Sequence, residues 1–209
     1  LNLHRVGKDD GSTYKPLEKE TFIYLIEFLK ANYLITSFSE LNFNLNKNKI
    51  SKEKPLLILS FDDGYKDFLN VVHPILFKNG IRANQNIIPS SVDSGRPPLN
   101  VLLQDYLGKV KREEVNKLRI PGYKFNNKLS ILKEGLKLSK FIKNKPNKIQ
   151  KQIEVELFNQ LGVELYSKSA QMMNIEDIRS IIKYHDWGIH SYYHSNMFVE
   201  SDNFFKKDL

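Results

Sequence analysis

Cysteine is absent from all 209 residues of the chain. That excludes a disulfide framework and any metal site built on thiolates. A metal here would have to be held by imidazole nitrogens, carboxylate oxygens or water. Long apolar runs are missing too, so no stretch reads as a membrane-spanning helix of roughly 20 residues. The chain opens at Leu1 with neither an initiator methionine nor the basic and apolar regions of a signal peptide. This leaves the compartment open between cytoplasm and cell envelope. Zinc-finger spacing, RNA-binding aromatic signatures and basic–aromatic interleaving are likewise missing, so no nucleic-acid partner is expected.

What is present fits a globular protein. The hydrophobic fraction is 41%, and the length suits one domain with an insertion. Lysine and arginine total 32 against 24 acidic residues, a formal net charge of +8. A Lys-rich solvated surface accounts for that excess. Attraction to an anionic glycan, a membrane surface or nucleic acid is the other use such charge can have.

Leu1 to Val6 alternates like a short strand, and Gly7 to Pro16 is polar and turn-rich. Phe22, Leu25, Ile26 and Leu29 recur at helical spacing within Leu17 to Asn32, and Tyr33 to Thr36 fits a strand. Ser37 or Ser39 suits the cap of a brief helix through Leu41, and Asn42 to Lys54 reads as an Asn/Lys-rich loop. Pro55 to Phe61 is nearly continuous apolar sequence, the pattern of a strand buried on both faces of a parallel sheet. Asp62, Asp63 and Gly64 follow it. Tyr65 to Asn79 is helical in pattern, with Pro74 breaking or restarting it and Gly80 closing it. Ile81 to Ile88 is the next strand, made unusually polar by Asn84, Gln85 and Asn86, and Pro89 to Pro98 reads as loop. From about residue 100 to 168 the chain is Lys-rich, with helical stretches near Val101 to Val110, Lys128 to Ile142 and Lys148 to Leu161. It reads as a helical insertion. Asn174 caps a helix reaching Tyr184, and Asp186 to Ile189 is a strand with His190 to Asn196 at its end. Strands alternating with helices predict an α/β fold with a mostly parallel sheet, in which ligands bind beyond the carboxyl ends of strands. Both polar clusters lie at such ends.

Two imidazoles four residues apart, His190 and His194, can share one face of a helical turn and converge on one cation. Taken alone, the spacing fits two unrelated histidines equally well. Asp62-Asp63-Gly64 can supply a carboxylate ligand beside a second carboxylate that stays off the metal and takes a proton from water. Gly64 permits an abrupt turn that brings both side chains towards one pocket. Taken alone, the tripeptide also fits an Asx turn capping the following helix.

Together, Ser60-Phe61-Asp62-Asp63-Gly64-Tyr65 and His190-Ser191-Tyr192-Tyr193-His194 resemble the first two motifs of the polysaccharide deacetylases, the carbohydrate esterase family 4 or NodB-homology group. Trp187-Gly188-Ile189 precedes the second motif, and the order of elements matches over roughly residues 1–98 and 171–196. The resemblance implies a deformed (β/α) barrel of NodB-like type, one catalytic domain spanning 1–209 and interrupted by the Lys-rich helical insertion. It implies that Asp63, His190 and His194 bind a divalent metal, Zn²⁺ in most members and Co²⁺ or another cation in some. Asp62 would be the catalytic base, with Ser191 helping to fix the histidine loop.

The implied reaction is metal-dependent hydrolysis of N-acetyl or O-acetyl groups on a bacterial polysaccharide of the cell envelope, an amidase acting on C–N bonds other than peptide bonds. The partner is an acetylated glycan; the oligomeric state is left open. Nothing after Met197 matches the family's later motifs, which supply an Arg, a Pro-Tyr segment and an acid histidine. The domain is therefore expected to be incomplete at its C-terminus. Of the other histidines, His4, at a strand end, is the remaining candidate for the acid, whereas His73 and His185 read as structural or solvated. The alternative is a catalytically incomplete metal- or glycan-binding fragment or pseudoenzyme. A further reading is a basic membrane- or nucleic-acid-associated domain that uses the insertion.

Overall fold

The structure is a computed structural model and describes residues 1–41 and 54–208. The loop expected over 42–54 lies almost wholly outside the described residues. The chain divides into two compact units. One comprises Leu1–Asp9, Pro16–Gly95 and Met172–His190, the other Asp10–Lys15, Arg96–Gln171 and Ser191–Leu209.

The first unit is a parallel α/β assembly. Strands β1 (Asn2–Leu3), β4 (Ser60–Asp63), β5 (Asn84–Ile87) and β6 (Asp186–Ile189) form a four-stranded parallel sheet in that order. Strands β2 (Leu34–Thr36) and β3 (Leu56–Ile58) form a separate parallel pair. The apolar run from Pro55 to Phe61 therefore serves two sheets, changing from one to the other at Leu59. The burial expected of it holds at Leu59 and Phe61, both fully buried, but not at Leu56, which is 42% exposed. A three-residue strand at the start of the run has too few neighbours to cover both of its faces.

Pairing register sets the two faces of the larger sheet. Asn2 lies beside Ser60, Ser60 beside Asn84, Asp62 beside Asn86, and Asn86 beside Gly188. Side chains alternate along a strand, so these positions share one polar face. Leu3, Phe61, Gln85 and Trp187 share the other. On that side Phe61 packs edge-on against Phe22 and Phe68, at ring separations of 6.0 and 5.1 Å. Helix α1 (Lys19–Asn32) contributes Phe22, Ile26 and Leu29 to the buried set, the same stripe its sequence spacing predicts.

Pro74 restarts the helix that follows Gly64, one of the two outcomes its position allows. A π-turn over Phe68–Val72, closed by the His73 N–H on the Phe68 carbonyl, leads into α2 (His73–Lys78) with Pro74 in its first turn. There its missing N–H is harmless. The loop expected after β5 contains a short helix, α3 (Pro89–Ser94), again opened by a proline and closed at left-handed Gly95.

The second unit has its own apolar core. Helix α4 (Leu99–Lys109) is buried at nearly every position, because helices pack around it. Leu102, Leu103 and Leu107 meet Leu138 and Ile142 of α6 (Ile131–Lys143) and Ile153 and Leu157 of α7 (Asn147–Leu161). Short helices α5 (Arg112–Lys117) and α8 (Glu164–Ser167) complete the set. Residues 10–15 join this unit closely. The Thr13 backbone N–H and hydroxyl both donate to the Gln104 carbonyl at 3.1 Å, and a Cβ at Gly135 would collide with the Thr13 side chain. The C-terminal helix α10 (Asp202–Asp208) belongs here as well.

At the start of β6, His185 is buried and its Nε2 lies 2.9 Å from His73 Nδ1, while its Nδ1 accepts the Ala83 N–H at 3.3 Å. Nδ1 therefore carries no proton and Nε2–H donates to His73. Burial, with His73 and the Arg82 guanidinium beside it, pulls His185 down from 6.5 to about 4. Below pH 6.5 the unfolded chain takes up a proton that the folded chain refuses. Stability should thus fall by up to about 3 kcal/mol as pH drops from 6.5 to about 4. Urea denaturation across that range checks this, and His185→Gln should flatten the slope. Truncating the edge-packed ring in Phe61→Ala should cost about 3–5 kcal/mol in the same assay at neutral pH.

Candidate metal centre

Strand β4 ends on the two carboxylates, and the backbone treats them differently. Asp62 keeps strand geometry and stays on the polar face. Asp63 has φ +78° and Gly64 φ +85°, so two successive residues are left-handed. A left-handed conformation costs an L-residue roughly 1–2 kcal/mol. The turn predicted at Gly64 therefore begins one residue earlier, at Asp63 itself. This turn rotates Asp63 out of the alternation that would send it to the Phe61 face. Gly64 is needed for its φ and for space, since a Cβ there would sit 3.3 Å from Ile87 Cγ2. The Gly64 carbonyl accepts the Met173 N–H at 2.9 Å, which ties the turn to the segment before α9 (Ile175–Ile181).

Strand β6 delivers His190. The His190 N–H bonds the Ile87 carbonyl at 2.8 Å, continuing the β5–β6 ladder one step past the strand. Its Nε2 stands 3.9 Å from Asp63 Oδ1. The Asp63 side chain is 3% exposed and that of His190 38%. At 3.9 Å the pair is too far apart for a hydrogen bond. Two donors bound to one cation at about 2.1 Å lie roughly 3–4 Å apart, so the spacing fits shared coordination.

Residues 190–196 contain no helix, contrary to the helical turn expected of the two histidines. Ser191 and His194 both have positive φ, +54° and +57°. Ser191 Oγ accepts the His194 N–H at 3.0 Å, the loop-fixing contact expected of it. The Asp208 carboxylate accepts the N–H groups of Tyr192 and Tyr193 at 3.2 and 3.0 Å. An irregular loop that cannot use helical hydrogen bonds is thereby satisfied by side chains. Asp63 and His190, a carboxylate and an imidazole, both belong to the first unit, while His194 belongs to the second. A carboxylate and an imidazole at this spacing are donors of the kind a catalytic metal site with open positions uses.

Asp62 is 7% exposed. Its Oδ2 accepts from Asn2 Nδ2 at 2.6 Å and its Oδ1 from Asn86 Nδ2 at 2.8 Å. Neither asparagine stands out in the sequence as a site residue, although the polar character of Asn84-Gln85-Asn86 is a signal that could have found Asn86. Gly188 belongs to the same arrangement, because a Cβ there would run into Asn86 Oδ1. The aromatic residues serve packing. Trp187 stacks edge-on against Phe68, and its Nε1 donates to the Ile182 carbonyl at 3.0 Å. Arg82 is engaged by Asp186 at 2.8 Å, and Arg96 lies over the Tyr166 ring at 3.7 Å.

No family model matches the chain, and neither does any curated protein sequence. Solved structures do. A de-N-acetylase from Aggregatibacter actinomycetemcomitans aligns at 25% identity and TM-score 0.38, over 48% of this chain and 39% of that one. IcaB from Ammonifex degensii aligns at 14% identity and TM-score 0.47, over 92% and 52%. A polysaccharide deacetylase from Bacillus cereus aligns at 15% identity and TM-score 0.37, over 90% and 55%. The chain thus spans between 39% and 55% of the length of these three.

The left-handed turn predicts a sharp response at Gly64. Gly64→Ala should lower stability by about 1–2 kcal/mol through the positive φ alone, measured as a shift in urea midpoint at unchanged m-value.

Proposed function

We propose that this chain carries the metal site and base of a metal-dependent polysaccharide deacetylase. Asp63, His190 and His194 hold the ion, zinc in the first instance, and Asp62 acts as general base on an acetylated glycan. The observation that carries this reading is the division of labour at the end of β4. The strained turn sets Asp63 beside His190 at 3.9 Å, while Asp62, one residue earlier, is held apart by two amides. Adjacent carboxylates with different surroundings are what a ligand-and-base pair requires. Strain at a residue whose side chain faces a ligand group supports a functional role for the turn. The match of both motifs and of their order to the polysaccharide deacetylases supplies the reaction.

When bound, a divalent cation acts as a Lewis acid on a carbonyl and lowers the pKa of its water to near neutrality. The chain's own residues do the rest. Asp62, pinned by Asn2 and Asn86, keeps acceptor capacity to spare and takes a proton as water adds to the acetyl carbon. The C–N bond then breaks, giving acetate and a free amine on the sugar once the nitrogen is protonated. Burial of Asp62 and Asp63 keeps bulk water from competing for the same carboxylate oxygens. The Lys-rich helical unit is read as an insertion within the one catalytic domain.

The test is acetate release from N-acetylglucosamine oligomers and polymers. The chain should release acetate, a chelator should abolish release, and added Zn²⁺ or Co²⁺ should restore it. Asp62→Asn should lower kcat by about 10²–10⁴-fold with metal still bound. Metal binding without acetate release from any acetylated glycan would instead support a non-catalytic fragment.

A further inference from the structure

We infer that Asn2 and Asn86 are positioning residues for Asp62, a pair of neutral amides on the two strands flanking β4 that fix its carboxylate for proton transfer. The inference rests on the reading of Asp62 as the base. Each carboxylate oxygen has its own donor, Asn2 Nδ2 on Oδ2 at 2.6 Å and Asn86 Nδ2 on Oδ1 at 2.8 Å. Donors on opposite sides hold the plane of the group, which a single contact cannot do.

The Asn86 amide is itself oriented. Its Oδ1 accepts from Asn84 Nδ2 at 2.9 Å, which turns its NH₂ end towards Asp62. Asn84 Nδ2 also reaches Ser60 Oγ at 3.1 Å. The register makes this inevitable. Asn2, Ser60 and Asn84 form one lateral row of the sheet, and Asp62, Asn86 and Gly188 the next. The five side chains therefore share one face, and Gly188, which has none, leaves the space that the Asn86 side-chain carbonyl occupies.

The chemistry suits a base. A carboxylate offers about four acceptor sites, and two amide donors use two of them. One lone pair on each oxygen remains for the proton. Amide donors also position an anion without bringing a counter-charge that would compete for it. A misplacement of about 1 Å in a reacting group can cost 10²-fold in rate, so loss of one donor should register in turnover.

Two measurements test this. Asn86→Leu, near-isosteric and without a donor, should lower kcat for acetate release by about 10- to 100-fold while KM stays within about twofold. Asn2→Ala provides a second variant at the sheet edge should Asn86→Leu fail to fold, with the same split expected. Independently of turnover, the Nδ2–H signals of Asn2 and Asn86 in ¹⁵N NMR should move in Asp62→Ala, while side-chain amides outside the row stay in place. A rise in KM at unchanged kcat, or Asn2 and Asn86 signals indifferent to loss of Asp62, would overturn the assignment. If those signals move but the unaltered chain releases no acetate, the amide pair stands and the deacetylase reading is what fails.

Discussion

Asp63 and Gly64 hold φ of +78° and +85° at the end of a strand whose preceding residue is still extended. Everything at the candidate site depends on that break in the two-residue alternation. Without it, Asp63 would project to the face lined by Phe61, where a carboxylate among edge-packed rings would be costly. With it, Asp62 keeps its place in a row of polar side chains and Asp63 turns to meet His190. The cost of one left-handed L-residue is small beside what the turn makes available. The Met173 N–H on the Gly64 carbonyl and the tight approach to Ile87 show how the surroundings hold it.

The sheet supplies the second constraint. One face is built from aromatic and aliphatic rows and stabilised by burial. The other carries asparagines, a serine and an aspartate, which need partners once removed from water. They find them in each other: Ser60, Asn84, Asn86, Asp62 and Asn2 form a connected set of hydrogen bonds. Such a network holds a charged side chain more rigidly than solvent can, and it works only because Gly188 yields space on the neighbouring strand. The histidine loop follows the same logic, with Ser191 and Asp208 satisfying N–H groups that a helix would have paired internally.

Much of this was legible in the residues. The stripe of Phe22, Ile26 and Leu29 and the cap at Asn174 follow from periodicity and capping chemistry, which are local, and the parallel sense of the sheet follows from the alternation of strands with helices. Asn174 takes the Asp177 N–H at 2.9 Å, as an N-cap should. The two motif segments could be placed at strand ends for the same reason. What could not be read was non-local. The strand change at Leu59 depends on which neighbours the run meets, and the helix at Pro89–Ser94 on a proline-opened turn that composition alone marks as loop. The irregular shape of residues 190–196 is set by side-chain acceptors, one of them at Asp208. The role of Asn2 needed the register, since it sits 60 residues from Asp62.

The central claim is that Asp63 and His190 are two ligands of one cation, with His194 as the third. Metal content of the purified chain, measured by elemental analysis after equilibration with Zn²⁺ and removal of free ion, tests it most directly. The account predicts about one equivalent per chain, lost in His190→Ala and in Asp63→Ala but retained in Asp62→Asn. Full occupancy in the His190→Ala and Asp63→Ala proteins would contradict it.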